Sequence, residues 1–326
     1  MVAERTGSLV RQEARAGAVP VPVRPDGDGH GDGGGGSLAG GLLRTARPRQ
    51  WVKNVLVVAA PAAAGELASP HTLRQLVLVF VLFTAAASAV YFLNDARDAA
   101  ADRAHPEKCR RPVAAGIVPV PVAYAMGTLL ALASTGLAAL LCNRATAALL
   151  AAYVVMQIAY CLLLKHVLVV DLAVVTAGFV VRAMSGGLAL DIRLSRWFLI
   201  TAGFGALFIV AAKRYSEALL MGEGEGETRA LLREYTVGYL RFVWQLAAGV
   251  AVLGYCLWAL EGGTGDGTSL WRQLSMVPLI LAVLRYAVFA DRGGAGAPED
   301  VILRDRPLAV IGLCWGLLYG LSVAGL

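Results

Sequence analysis

Charge is scarce in this chain, and lysine is scarcest of all. Only 16% of the 326 residues are Asp, Glu, Lys or Arg, and lysine occurs at Lys53, Lys108, Lys165 and Lys213 alone. A soluble domain carries about 25% charged residues. With 57% apolar residues against so little charge, a water-soluble fold is excluded. Cysteine is also sparse: Cys109, Cys142, Cys161, Cys256 and Cys314 show no Cys-x-x-Cys spacing, which argues against a zinc site or a disulfide framework. No polar stretch is long enough for a soluble catalytic domain, so any chemistry sits at a membrane.

What is present instead is a series of apolar runs of about 20 residues, the length that crosses a hydrocarbon core of about 30 Å. They lie near 51–68, 73–93, 119–141, 145–164, 168–189, 197–212, 239–260, 273–290 and 307–325. The expected fold is therefore an all-α polytopic membrane protein of about nine transmembrane helices. Residues 1–41 differ in kind, because Arg24 to Gly41 is mostly Gly, Pro and Asp without apolar periodicity. They read as a disordered cytoplasmic tail, leaving 42–326 as the intramembrane domain. The tail lacks the apolar run of a cleavable signal sequence, which makes the first spanning helix the expected insertion signal.

Basic residues orient such a bundle. With the N-terminus inside, the cytoplasmic breaks hold 19 Lys and Arg, including all the lysines. The outer breaks hold five: Arg74, Arg144, Arg193, Arg196 and Arg272. Nine spans then leave the C-terminus outside. The formal charge of +6 follows from topology and anionic lipid headgroups, with no nucleic-acid partner required.

The most informative polar segment begins where the second run ends, at Asn94-Asp95-Ala-Arg97-Asp98 and on through Asp102 to Lys108, Arg111 and Pro112. Asn94, Asp98 and Asp102 fall at i, i+4 and i+8, stacked on one helix face at about 6 Å per step. Like charges so stacked repel, and a bound cation compensates them. Oxygen-only ligands suit Mg²⁺, which keeps waters and is usually shared with substrate phosphates. Lys108 and Arg111 follow closely enough to grip diphosphate oxygens. His105, before Pro106, reads as a turn residue.

Three further clusters fall at the same face. Tyr160, Lys165, His166 and Asp171 surround the break after the fourth run, with Arg182 at membrane depth beyond them. An arginine there faces the bundle interior or a wet cavity, either for substrate or for pairing between helices. Ser185-Gly186-Gly187 suits close helix packing. Lys213 and Arg214, with Glu217 at i+4 from the lysine, close the sixth run, where an acidic linker follows at 222–227. Pro298-Glu299-Asp300 with Arg304-Asp305-Arg306 precedes the last run and by itself looks like a helix entrance. Acids, Mg²⁺ and fixed cations at one face suit a diphosphate leaving group, whose developing charge they would neutralise.

The segment from Asn94 to Gly116 resembles the Asn-Asp-x-x-Asp-x-x-x-Asp motif of the UbiA superfamily of intramembrane prenyltransferases. Further matches look like its phosphoribosyltransferase branch: Arg47-Pro48-Arg49-Gln50-Trp51-Val52-Lys53-Asn54, His105-Pro106-Glu107-Lys108, Lys213-Arg214-Tyr215, and Tyr239 to Trp244. The resemblance spans about 42–326 and implies a UbiA-like helical bundle, a Mg²⁺ requirement, and transfer from 5-phosphoribosyl 1-diphosphate to decaprenyl phosphate. That reaction feeds the arabinose donor of cell-wall arabinan. Carried onto this chain, it implies Asn94, Asp98 and Asp102 as metal ligands, with Asp95 a direct or indirect partner. Lys53, Lys108, Arg111, Lys165 and Lys213 are the candidates for donor phosphates, and Tyr160 and Asp171 for ribose hydroxyls; Arg182 and Arg214 join them as substrate-binding candidates. One departure is informative: where ordinary members carry a second Asp-rich motif near the end of the sixth helix, this chain has Lys213-Arg214-Tyr215-Ser216-Glu217. Two other readings share parts of the pattern, a prenyltransferase with an aromatic acceptor and, in another class, a membrane transporter. Membrane lipids are expected partners, and a homo-oligomer is compatible with such a bundle.

Overall fold

Every regular element is helical among the residues that the structure, a computed structural model, describes: 37–220, 232, 234–261 and 268–324. Most of the expected tail and the acidic linker at 222–227 lie outside those residues. The expected tail boundary at residue 41 falls inside a short helix, α1 (Leu38–Thr45), which Ser37 caps by accepting from the Gly40 N–H.

Among the described residues eight helices are long and apolar enough to span: α3 (Pro70–Arg97), α5 (Val120–Leu141), α6 (Arg144–Leu162), α7 (Val170–Ala189), α8 (Arg196–Leu220), α9 (Val237–Leu260), the stretch Leu270–Asp291, and α13 (Arg306–Val323). The Leu270–Asp291 stretch is built from α10 (Thr268–Leu274) and α11 (Met276–Asp291). They account for eight of the nine expected spans, and local chemistry starts several of them. Asn143 caps α6 by accepting from the Thr146 N–H, Thr236 caps α9 and Asp305 caps α13. Proline, which has no N–H to lose, opens α3.

The first expected span differs from a regular α-helix. It is a 3₁₀ segment, Pro48–Val58, running into α2 (Ala59–Ala64), and it ends at Gly65, whose φ of 77° places it in the left-handed region. Eleven residues at about 2.0 Å and six at about 1.5 Å give a contour of about 31 Å, so the segment still has the length of a crossing. Its irregular backbone is held by protein rather than lipid. Asn54, fully buried, donates to Thr84 Oγ1 on α3 at 3.0 Å and accepts from Arg182 Nε on α7 at 2.9 Å. Gly186 lets α7 approach so closely that a Cβ there would overlap the Val57 carbonyl oxygen.

α3 is the central helix, with 56% of its most apolar stretch buried against 6% for α13. It packs chiefly on α5, and α8 packs chiefly on α9. Between α8, α9 and α11, Phe208, Tyr215, Trp244 and Tyr286 form an aromatic core. Leu132, Leu140 and Leu313 stay largely exposed, as on a surface solvated by lipid.

Candidate active site

A cavity of about 410 Å³ opens at one end of the bundle, and its wall contains most of the polar residues singled out in the sequence. Asn94, Asp98 and Asp102 all line it. The backbone explains why they stay on one face although α3 gives way at Asp98 to α4 (Ala99–Arg103). The Asp98 N–H donates to Asn94 O at 2.9 Å and the Asp102 N–H to Asp98 O at 2.8 Å, so the helical ladder runs through the junction.

The acids differ in their surroundings. Asp102 is buried, with Oδ2 bound by Arg111 Nη1 at 2.7 Å. Asp95 lies behind the wall, 2% exposed, between Arg47 Nη2 at 2.7 Å and Arg111 Nη1 at 3.3 Å. Asp98 is the freest, with 28% of its side chain exposed and Lys165 Nζ no nearer than 3.9 Å. Arg111 is set by the turn that carries it: Val113 and Val118 are fully buried, and Arg103 Nε donates to Ala114 O. His105 is a turn residue, its Nδ1 accepting from the Glu107 and Lys108 N–H groups.

The opposite wall comes from α6, α7 and α8. Tyr160 donates to Asp171 Oδ1 at 2.5 Å, and Arg214 Nη2 sits 3.3 Å from Asp171 Oδ2. Asp171 is 2% exposed, so these partners compensate a carboxylate removed from solvent. The chain reaches it through a γ-turn. Val169 has φ 68° and ψ −43°, and the Val170 N–H donates to Leu168 O at 2.7 Å. A β-branched residue in this region is strained, and strain of this kind persists where surrounding contacts over-determine it. Here the Val169 N–H donates to the Tyr235 hydroxyl at 2.6 Å, and Tyr235 stacks on Tyr239. Burial pushes the Tyr235 phenol above its ordinary value.

Among the described residues five cations line the cavity, Arg47, Lys108, Arg111, Lys165 and Arg214, against three carboxylates, Asp98, Asp102 and Asp171. The excess is positive and suits a polyanion. Among the described residues no three His, Cys, Asp or Glu side chains converge to hold a metal by themselves. Asn94, Asp98 and the remaining oxygen of Asp102 are oxygen donors of the kind that would suit a hydrated Mg²⁺.

Besides Asp95, which stands behind the wall, three of the candidates are placed elsewhere. Lys213 pairs with Glu217 at 3.9 Å and does not line the cavity, nor does Lys53. Arg182 is buried in the bundle, donating to Asn54 Oδ1, Gly178 O and Tyr153 OH, with the rings of Phe83, Tyr153 and Phe179 within 6 Å of its guanidinium. No carboxylate pairs with it among the described residues; neutral acceptors and aromatic faces carry its charge. Asp305 binds Arg285 at 2.8 Å and caps α13, so that cluster is a helix entrance. Conversely, Arg47, Tyr235 and Leu232 line the cavity without having been singled out for it. Arg47 carried a signal in its Arg-Pro-Arg motif; Tyr235 carried none.

The model of the UbiA prenyltransferase family matches residues 55–301. A decaprenyl-phosphate phosphoribosyltransferase of Corynebacterium glutamicum is 46% identical over 285 residues, 86% of this chain and 85% of that protein. The protein of the same name from Mycobacterium tuberculosis is 46% identical over 292 residues, 88% of this chain and 96% of that one. Among solved structures, a UbiA homolog from Archaeoglobus fulgidus bound to GPP and Mg²⁺ superposes with a TM-score of 0.65 at 15% identity, covering 88% of this chain and all of that one. A structure described for digeranylgeranylglyceryl phosphate synthase gives 0.62 at 14% identity over 89% of this chain and 99% of that one.

Proposed function

The chain belongs to the UbiA prenyltransferase family, and we propose that within it this membrane protein transfers the 5-phosphoribosyl group of 5-phosphoribosyl 1-diphosphate to decaprenyl phosphate, releasing diphosphate. The observation that carries the reading is the 44–46% identity to proteins of that named activity over 86–88% of the chain. The cavity is consistent with it. Where a second acidic cluster would serve a prenyl diphosphate, the end of α8 supplies Arg214 to a cavity already rich in cations, as a donor with an additional phosphate requires.

In the reaction an oxygen of the lipid phosphate bonds to the ribose anomeric carbon while the bond from that carbon to the diphosphate oxygen breaks, its electron pair leaving with diphosphate. The acceptor is already anionic, so no base is needed. The transition state has the oxocarbenium character of glycosyl transfer. Asn94, Asp98 and Asp102 would hold Mg²⁺, which neutralises charge on the departing diphosphate. Lys108, Lys165 and Arg214 would bind donor phosphates, and Arg111 would be shared between the donor and the acceptor phosphate. Tyr160, fixed by Asp171, presents its oxygen to the ribose hydroxyls. The bias of basic residues puts this end of the bundle at the cytoplasmic face, with the N-terminus inside and the C-terminus outside. The product serves as precursor to the arabinose donor of cell-wall arabinan.

The test is transfer of radiolabel from 5-phosphoribosyl 1-diphosphate into the lipid phase by purified protein with decaprenyl phosphate, with Mg²⁺ and with EDTA. Metal-dependent transfer is expected. Consumption of a prenyl diphosphate with no phosphoribosyl transfer would overturn the reading.

A further inference from the structure

A second cavity of about 480 Å³, within the ordinary range of about 300–1,000 Å³ for ligand pockets, lies between α1, the 3₁₀ segment, α3 and α5. Its lining is apolar in a strict sense. Among its lining residues only Trp51, Thr84 and Ser88 carry a side-chain nitrogen or oxygen, and each is hydrogen-bonded within the protein. Trp51 Nε1 and Ser88 Oγ donate to Ala46 O, and Thr84 Oγ1 accepts from Asn54 Nδ2. Each of these polar atoms already makes a hydrogen bond within the protein and the rest of the lining is apolar, so the groove suits hydrocarbon.

The groove leads to the charged cavity. On α3, Val81, Ala85, Ser88, Phe92 and Asp95 fall at spacings of three and four and so share one face. The first four line the groove, and Asp95, at the end of the stripe, binds Arg47 and Arg111, which line the charged cavity. From the N-terminal side, Ala46 belongs to the groove wall and Arg47, the next residue, to the cavity wall. The left-handed backbone of Arg47, φ 55° and ψ 64°, turns the chain at that boundary. A hydrocarbon groove ending at two guanidinium groups has the layout of a site for a lipid phosphate.

Resting on the function proposed above, we infer that this groove holds the isoprenoid chain of the acceptor, with its phosphate directed to Arg47 and Arg111 and the rest of the chain in the bilayer. Ala85 lies about 15 Å along α3 from Asp95 at 1.5 Å per residue, beyond the reach of a geranyl chain whose phosphate sits at the arginines.

Two measurements on the full-length protein test this. In the first, Ala85→Phe fills the groove. It should lower kcat/KM for decaprenyl phosphate by about tenfold or more, as misfit in an apolar pocket does, and leave KM for the phosphoribosyl donor and turnover of geranyl phosphate unchanged. Equal loss with both acceptors, or none with either, would overturn the inference. In the second, wild-type protein is photolabelled with a polyprenyl phosphate carrying a diazirine near its phosphate. Labelling of Leu42, Leu43, Met126 or Leu130, competed by decaprenyl phosphate and not by phosphatidylglycerol, is expected. Labelling elsewhere, or equal competition by the phospholipid, would mean a general lipid crease. Competable labelling by a protein that transfers no phosphoribosyl to any acceptor would retain the groove and sink the proposed reaction instead.

Discussion

Arg111 is the residue whose loss the structure makes most predictable. One of its nitrogens lies 2.7 Å from Asp102 Oδ2 and 3.3 Å from Asp95 Oδ1, and both carboxylates are at most 5% exposed. Removing one partner of a buried pair costs about 3–5 kcal/mol, because the other charge stays behind unpaired. Two features reduce that here. The Arg111 side chain is 29% exposed, and Asp95 keeps Arg47. Arg111→Gln is therefore expected to destabilise by about 2 kcal/mol, no more than about 4–8 °C in thermal unfolding in detergent. The double variant Asp102→Asn/Arg111→Gln removes both charges and should regain most of that loss. It should not regain activity, because both side chains also face the cavity where donor phosphates are proposed to bind. Unfolding midpoints of the wild type, both single variants and the double variant give the coupling directly. Additive midpoints would refute the pairing as a stabilising contact, and restored transfer in the double variant would remove both residues from the site.

Three further outcomes follow from the same geometry. Asp98→Asn, at the most accessible acid of the ladder, should reduce phosphoribosyl transfer by about 10²–10³-fold, the usual cost of a lost electrostatic contact at the reacting centre; wild-type rates across a Mg²⁺ titration would exclude Asp98 as a ligand. Tyr160→Phe deletes a hydrogen bond to a buried carboxylate that Arg214 still holds, so kcat/KM for the donor should fall by about tenfold, the lower end for such bonds; unchanged kinetics would make Tyr160 a wall residue only. Gly186→Ala drives a methyl into the Val57 carbonyl and should destabilise by about 1–3 kcal/mol through overpacking, read as a lower unfolding midpoint, and an unshifted midpoint would show that α7 and the 3₁₀ segment have slack.

Much of this protein was legible in its sequence because the signals were local. Hydrocarbon thickness sets the length of a spanning run, so the apolar stretches marked the helices without reference to one another. The Asn94, Asp98 and Asp102 ladder was equally local: helical spacing puts the three on one face wherever the helix lies, and the backbone bonds through Asp98 preserve that face. The first span was less legible. Its composition marks a crossing, but its 3₁₀ geometry depends on Asn54 finding Thr84 and Arg182, the latter 128 residues away.

Which basic residues reach the cavity was a tertiary decision. Lys213 and Arg214 are neighbours, yet one residue turns a helix by about 100°. The rotation of α8 against α7 puts Arg214 on Asp171 as well as on Glu217, whereas Lys213 pairs with Glu217 outside the cavity wall. Arg47 meets Asp95 across 48 residues and Tyr235 meets Val169 across 66, separations over which no periodicity operates. Sequence by itself determined the number of apolar segments, the face on which the acids stand and the end of the bundle where charge collects, because each depends on spacing along one helix. Only the tertiary structure decided the partners of each charge, since those depend on how the helices are rotated and packed against one another.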